Sequence, residues 1–179
     1  SYSIIAPAEE LPVDLMDSYE VLCAPVLDAF RRMGIDAAFA ETEQKAIYQP
    51  ACYLRAIHPA HDILAGGRKI SGNAQYRQRD AVIQHGSLSY SLSPAQHLGV
   101  FASEEITAEQ FTERVTSIRN QSGIDRSTAV NSLEAAFEAW ANADEGTWTD
   151  DELDRAREIA AQKYTSEAWT RERTDPLSG

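Results

Sequence analysis

A lysine just beyond a double glycine gives this chain a charged donor in a position where it can do chemistry. Only three of the 179 residues are lysine, and Lys69 lies in the stretch GGRKISGNAQ. Because Gly66 and Gly67 tolerate the positive φ angles of tight turns, HDILAGGRKISGNAQYR predicts a β-hairpin with Lys69 on its second strand. An ammonium group held on such a strand can polarise a carbonyl group or bind a phosphate.

Polar groups and glycines surround this lysine in the predicted sheet. Alternation along the second strand predicts Ile70 on one side and four polar side chains on the other, those of Lys69, Ser71, Asn73 and Gln75. Gly72 has no side chain, so a ligand or another backbone can come close. The next strand adds Gln84-His85-Gly86-Ser87. These donors suit an acyl carbonyl or a phosphate better than a metal, although a solvated lysine on a polar sheet edge fits the same residues.

Strand patterns fill the first half of the chain, around one early helix, and helical patterns fill the second half. The predicted strands are Tyr2 to Ala6, GIDAAFA, the two hairpin strands, and Ala81 to Leu92. The predicted helices run from Asp14 to Met33, Thr107 to Ile118, Ser127 to Trp140 and Thr149 to about Tyr164. This order is typical of an α+β fold. We expect Leu133, Phe137 and Trp140 to be buried against the sheet, since they recur at helical spacing.

Composition limits the classes of partner and compartment. A formal net charge of −12, from 28 acids and 16 bases, argues against nucleic acid, because phosphate binding needs a basic surface. The longest apolar runs are far too short to span a bilayer, which argues against a membrane. Cys23 and Cys52 form neither a metal-ligand pattern nor a disulfide framework, so a reduced cytoplasm is the expected location.

The hairpin and the strand after it carry a family likeness. GGRKISGNAQYRQRDAVIQHGSLSY resembles the central signature of the lipoate–protein ligase A and octanoyltransferase family. VTSIRN, residues 115–120, and KYTSEAW, residues 163–169, resemble two further family segments. The resemblance implies a mixed β-sheet packed with helices, of the biotin/lipoyl ligase-like fold. It implies a catalytic domain over residues 1–171, followed by a polar tail over 172–179. The family's Arg-Arg-x-Ser-Gly-Gly-Gly segment is missing, so we expect a domain that is N-terminally incomplete or completed by a partner chain.

The resemblance also implies an activity and a site. The family attaches a lipoyl or octanoyl group to a lysine of a lipoyl carrier domain, as in 2-oxoacid dehydrogenases or the glycine cleavage H protein. Lys69 matches the catalytic lysine, which contacts the carbonyl or phosphate side of the activated acyl group. The matching substrate-binding residues are Gly72, Asn73, Ala74, His85, Gly86 and Ser87. We expect replacement of Lys69 to leave folding nearly unchanged, as for a lysine on a strand surface.

Cys52 separates the two chemistries that the family uses. In the octanoyltransferase branch that resembles the ligases, a nucleophilic cysteine lies in the loop ahead of the lysine hairpin, as Cys52 does here. A transferase takes the octanoyl group from a donor such as acyl carrier protein through a thioester on that cysteine, and we favour this interpretation. A ligase instead uses lipoate, ATP and magnesium, with Lys69 binding the acyl-adenylate. A third alternative is a homologue that binds the carrier without turnover. We expect His58, His61 and His97 in surface or loop positions.

Overall fold

A computed structural model describes residues 1–49, 51–59, 61–101 and 106–177 of the chain. It divides into two compact units, Ser1–Ala143 and Asp144–Gly179. The predicted catalytic domain over residues 1–171 includes all of the first unit and most of the second. The last two residues of the predicted polar tail lie outside the described part. Among the described residues, no helix is long and apolar enough to cross a membrane.

A five-stranded antiparallel sheet forms one layer of the first unit, with the strand order β1-β5-β4-β3-β2. The strands are β1 Tyr2–Pro7, β2 Ala37–Phe39, β3 Asp62–Ala65, β4 Arg68–Gln78 and β5 Ala81–Leu88. A two-residue turn joins β3 to β4, and both of its glycines have positive φ angles, at 56° and 74°. The hairpin predicted from Gly66-Gly67 is therefore present. An isolated bridge between Lys69 and Val115 is parallel.

The helices of the first unit are α1 Leu15–Arg32, α2 Pro94–Leu98, α3 Ala108–Arg114, α4 Ile118–Ser122 and α5 Arg126–Ala141. The Asp14 carboxylate caps α1 by accepting bonds from the backbone amides of Met16 and Asp17. Pro25 lies inside α1 without dividing it. The α+β class predicted from the order of elements is confirmed.

The main core lies between the sheet and helices α1 and α5. It contains Tyr2 and Ile70 from the sheet and Phe30 from α1. The prediction for α5 was wrong in part, because Trp140 is 38% exposed. Leu133 and Phe137 are half-buried at the edge of this core, and small residues, Ala129 and Ala136, fill the buried positions of α5. Alanines let α5 approach α1 closely, and the larger side chains then lie toward the margin.

The second unit is helical. It contains α6 Asp150–Ile159, a π-helical turn Ala160–Tyr164 and α7 Glu167–Thr170. Thr149 and Glu152 form a capping box at the start of α6, where the sequence predicted a helix. In the KYTSEAW segment, residues 163–169, Lys163 Nζ lies 4.3 Å from the Trp169 ring centroid, a cation–π contact within the segment. The same Nζ lies 2.5 Å from Asp175 Oδ2, so an ion pair joins the segment to the residues that follow it.

A β-bulge on β4 corrects the predicted facing of the polar side chains. Ile63 pairs with Ser71, and Leu64 pairs with Lys69, so Ile70 is an extra residue on β4. The bulge interrupts alternation, and Lys69 therefore shares its side with Gly72 rather than with Asn73 and Gln75. Asn73 and Gln75 instead face α1, where Gln75 Oε1 accepts a bond from Ser18 Oγ at 3.0 Å.

Gly86 is a packing position in this layer. A Cβ added there would lie 2.7 Å from Tyr2 Cζ and closer still to Asn73 Oδ1, so neither neighbour has room. We predict that Gly86→Ala lowers the free energy of unfolding by about 2 kcal/mol, because the core must shift to fit the methyl group. Urea unfolding measures this, and Gly146→Ala is the matched control, since nothing lies within 4 Å of a Cβ at Gly146. Equal stability of the two variants would contradict this packing.

Candidate active site

A cavity of about 670 Å³ opens on the first unit beside the bulge of β4. Its walls come from β4, from β5 and from the connection between β2 and β3. Both predicted catalytic residues line it: Lys69 from β4, and Cys52 from the connection. Cavities of this size hold small organic ligands.

Lys69 reaches into the cavity across Gly72. A Cβ on Gly72 would lie 3.0 Å from Lys69 Cε and 3.2 Å from Nζ, so the missing side chain leaves room for the lysine itself. Lys69 Nζ lies 2.7 Å from Asp62 Oδ1, and the Lys69 side chain is only 12% exposed. The lysine is therefore a half-enclosed, paired cation rather than a solvated one. An ammonium has three donors, and the pair with Asp62 uses one of them.

Asp62 is the site residue that reasoning from the sequence missed. It is 1% exposed, and its Oδ2 accepts a 3.0 Å bond from the His58 amide. Burial by itself would raise the pKa of Asp62. The polar contact with His61, the bond and charge of Lys69 and the His58 amide outweigh burial and hold that pKa below its ordinary value of 3.8. Asp62 is therefore ionised at neutral pH and pairs with Lys69 as a carboxylate.

The buried pair corrects our expectation that Lys69 contributes little to folding. Removing one partner of a buried ion pair leaves the other charge uncompensated and costs about 3 kcal/mol or more. A lysine paired with a carboxylate that is 1% exposed meets this condition. Replacement of Lys69 alone should therefore destabilise the protein as well as change its chemistry.

The lowered pKa of Asp62 predicts how stability changes with pH. A depressed folded-state pKa stabilises the protein above the ordinary carboxyl value of 3.8, and this contribution is lost as the pH falls through the lower folded value. We expect the free energy of unfolding to fall below about pH 4, and to fall less steeply in Lys69→Met/Asp62→Asn. Urea unfolding at a series of pH values measures both slopes. Asp28→Asn is the control, because it removes a carboxylate from an ion pair on the surface of α1 and so shows the effect of losing any one acidic group. Identical slopes in wild type and the double variant would contradict the role of Asp62.

Two histidines, His58 and His61, lie in loop positions, as expected, and both line the cavity. His58 and His61 have ring centroids 5.3 Å apart, and His61 Nδ1 lies 3.6 Å from Asp62 Oδ1. The centroid of the Tyr19 ring lies 5.5 Å from that of the His61 ring. His97 packs edge-on against Tyr53, whose side chain also lines the cavity. No motif in the sequence marks His58 and His61, since their approach depends on the turn that places Asp62.

Cys52 begins a short 3-10 helix, Cys52–Leu54, within the connection between β2 and β3. Its neighbours Ala51 and Leu54 are buried in a second apolar cluster with Phe111 of α3 and Val115. Cys52 itself is exposed and lies at the cavity. The packing of its neighbours therefore fixes the turn that presents the thiol. The other cysteine, Cys23, is fully buried in α1.

The predicted substrate-binding residues divide between the two faces of the sheet. Five of them line the cavity: Gly72, Asn73, Ala74, His85 and Ser87. The Asn73 side chain, however, is engaged inside the protein, because it accepts from Tyr2 Oη at 2.8 Å and donates to the His61 carbonyl at 2.7 Å. Gly86 is outside this set, since its missing side chain makes room for Tyr2 and Asn73. Its presence in the signature thus has a packing reason.

Comparisons with solved structures place this fold among the lipoate–protein ligases. The putative lipoate protein ligase Ta0514 from T. acidophilum matches 95% of this chain and 63% of its own, with a TM-score of 0.69 and 22% identity. A lipoate-protein ligase A bound with ATP matches 93% of this chain and 62% of its own, with a TM-score of 0.71 and 22% identity. Both similarities concern the fold.

The sequence itself gives the family. The model of the lipoyl protein ligase A/B catalytic domain matches residues 1–139, and the chain belongs to this family. Octanoyltransferase LipM of Bacillus subtilis (strain 168) is 27% identical over 189 residues, covering 97% of this chain and 68% of the relative. Octanoyltransferase LipM of Staphylococcus epidermidis is 28% identical over 185 residues, covering 94% and 67%. The chain spans about two thirds of the length of these relatives and less than two thirds of the two solved structures.

Proposed function

We propose that this protein transfers an octanoyl group from a carrier thioester to a lysine of a lipoyl carrier domain, through a thioester on Cys52. One observation carries the proposal: an exposed cysteine and an enclosed, charged lysine line the same cavity. The family and the relatives named octanoyltransferase support it. A donor such as acyl carrier protein and an acceptor such as a 2-oxoacid dehydrogenase domain or the glycine cleavage H protein are the corresponding partners.

The first step forms the enzyme thioester. Cys52 Sγ, as the thiolate, attacks the carbonyl carbon of the donor thioester, and the bond from that carbon to the donor sulfur breaks. The donor leaves as a thiolate, which takes up a proton. Negative charge develops on the carbonyl oxygen during the attack, and the Lys69 ammonium can stabilise it with a donor not used by Asp62.

The second step forms the amide. The neutral amine of the acceptor lysine attacks the carbonyl carbon of the Cys52 thioester, the carbon–sulfur bond breaks, and the amine nitrogen loses a proton. Cys52 returns to its starting state. The same oxygen carries the charge in both steps, so Lys69 assists both. Asp62 contributes by fixing the position of the Lys69 ammonium over Gly72. A reactive thiol fits the reduced cytoplasm that we expect as the location.

A specific observation favours an ATP-dependent lipoate ligase as the second candidate. Ser71 is buried in the cavity wall, and its hydroxyl has no hydrogen-bond partner among the described residues. A buried hydroxyl without a partner, on a residue of the cavity that also holds Lys69, suits a phosphate of an acyl-adenylate. In that chemistry ATP and magnesium are required, and Cys52 has no covalent role.

The two candidates are separated by their substrates. Protein expressed from its full reading frame should transfer octanoyl from octanoyl-acyl carrier protein to a lipoyl domain without ATP, measured by the mass of the acceptor. Transfer only from free lipoate with ATP and magnesium would overturn the proposal in favour of the ligase. No transfer by either route would favour the third alternative, a homologue that binds the carrier without turnover.

A further inference from the structure

We propose that Arg114 is a positioning residue that fixes the loop bearing Cys52 relative to Lys69, an inference that rests on the proposed thioester route. Arg114 is the last residue of α3. Its Nη1 donates to Gln44 Oε1 at 2.6 Å, and its Nη2 donates to the backbone carbonyls of Lys45 and Arg55, each at 3.0 Å. No motif singled out this arginine, yet it makes three bonds to the connection between β2 and β3.

The three acceptors lie on both sides of Cys52 in its loop, in two segments that we call the legs of the loop. Gln44 and Lys45 precede Cys52, and Arg55 follows it. Gln44 and Ile57 exchange backbone bonds at 3.0 and 2.9 Å, which closes the neck of the loop. The planar guanidinium, with its fixed fork of donors, therefore ties both legs of this neck to the end of α3.

The same segment holds Lys69. The Thr116 amide donates to the Lys69 carbonyl at 2.9 Å, and Val115 forms a parallel bridge with Lys69. Arg114 is thus attached to the Cys52 loop by its side chain, and its neighbours Val115 and Thr116 are attached to the Lys69 strand by their backbone. These three consecutive residues link the nucleophile to the cation.

Arg114 acts through other residues rather than on substrate. It is absent from the residues lining the cavity. The neck bridge and the apolar cluster around Leu54 and Phe111 keep the loop folded by contacts that do not involve Arg114. Losing its three bonds should therefore shift the thiol without unfolding the loop. Misplacement by about 1 Å can slow a positioned reaction about a hundredfold.

The experiment measures acylation of Cys52 by octanoyl-acyl carrier protein in a single turnover, on protein from the full reading frame. Arg114→Met should acylate about a hundredfold more slowly, with the KM for the donor changed by less than about threefold. Arg114→Lys keeps the charge but loses the planar set of donors, so its acylation rate should lie between those of the wild type and Arg114→Met. Arg77→Met is the matched control. Arg77 also donates to a backbone carbonyl, that of Pro12 at 3.4 Å, but it is not among the residues that line the cavity. This control should acylate at the wild-type rate.

A double-mutant cycle separates positioning from a merely structural role. If Arg114 sets the geometry between Cys52 and Lys69, its loss should cost less than about threefold once Lys69 is already methionine. Full additivity of the two effects would overturn the inference, as would wild-type acylation by Arg114→Met. Should Arg114→Met fail to fold, the same cycle with Arg114→Lys decides by the same criterion. Absence of any adduct in the wild type would instead overturn the thioester route itself, which distinguishes the two failures.

Discussion

Cys52→Ser should abolish octanoyl transfer, with a loss on the order of a thousandfold or more, while the fold stays intact. A serine hydroxyl is a far weaker nucleophile than a thiolate, and among the described residues that line the cavity no other is a cysteine. Cys52 is exposed, so the change of one atom disturbs little packing. In the wild type, incubation with octanoyl-acyl carrier protein should produce a mass increase on Cys52 that hydroxylamine removes.

The second cysteine provides the matched control for this experiment. Cys23 is buried behind the sheet, and burial raises the pKa of its thiol to about 11, so it stays protonated at neutral pH. Gln84 Nε2 also donates to its sulfur at 3.0 Å. Cys23→Ser should therefore keep both the adduct on Cys52 and the transfer activity. If Cys52→Ser remained active with free lipoate and ATP, the transferase mechanism would be excluded, and Lys69 would be an adenylate-binding residue.

The sequence predicts the scaffold of this site better than its electrostatics. Gly66-Gly67 and the period of the flanking residues predict the hairpin, because tight turns and strand alternation are local properties. The facing of Lys69 could not be predicted, since one extra residue at Ile70 moves the pairing of Asp62 from Ser71 to Gly72. A bulge of this kind depends on how the sheet packs on α1, which a single strand pattern does not encode.

Buried polar residues were hidden from the sequence for a related reason. Asp62 and Gln84 are each at most 1% exposed, although their types predict the surface. Each has partners that its own strand pattern does not show: Asp62 pairs with Lys69 and accepts from the His58 amide, and Gln84 donates to Cys23 and to Tyr2. Only the folded chain brings such partners together. For α5 the error was an apolar residue predicted to be buried that is exposed, Trp140. Helical spacing alone could not show that Ala129 and Ala136 would take the buried positions.

Lys69→Met should slow octanoyl transfer about a hundredfold or more and should also lower the free energy of unfolding by about 3 kcal/mol. The loss of rate follows from removing the donor that stabilises the charged carbonyl oxygen. The loss of stability follows from leaving Asp62, which is 1% exposed, without its cation at 2.7 Å. Single-turnover transfer and urea unfolding measure the two effects separately.

The double variant Lys69→Met/Asp62→Asn decides which effect belongs to catalysis. Neutralising Asp62 removes the uncompensated buried charge, so the stability should largely return, whereas the rate should stay low because no ammonium faces the cavity. Lys69→Arg tests the shape of the cation, because it keeps the charge but replaces the compact ammonium, which lies over Gly72, with a planar guanidinium. We expect a low rate from this variant too. Wild-type transfer by the double variant would show that Lys69 serves only to balance Asp62, and wild-type stability of Lys69→Met would show that the ion pair does not stabilise the fold.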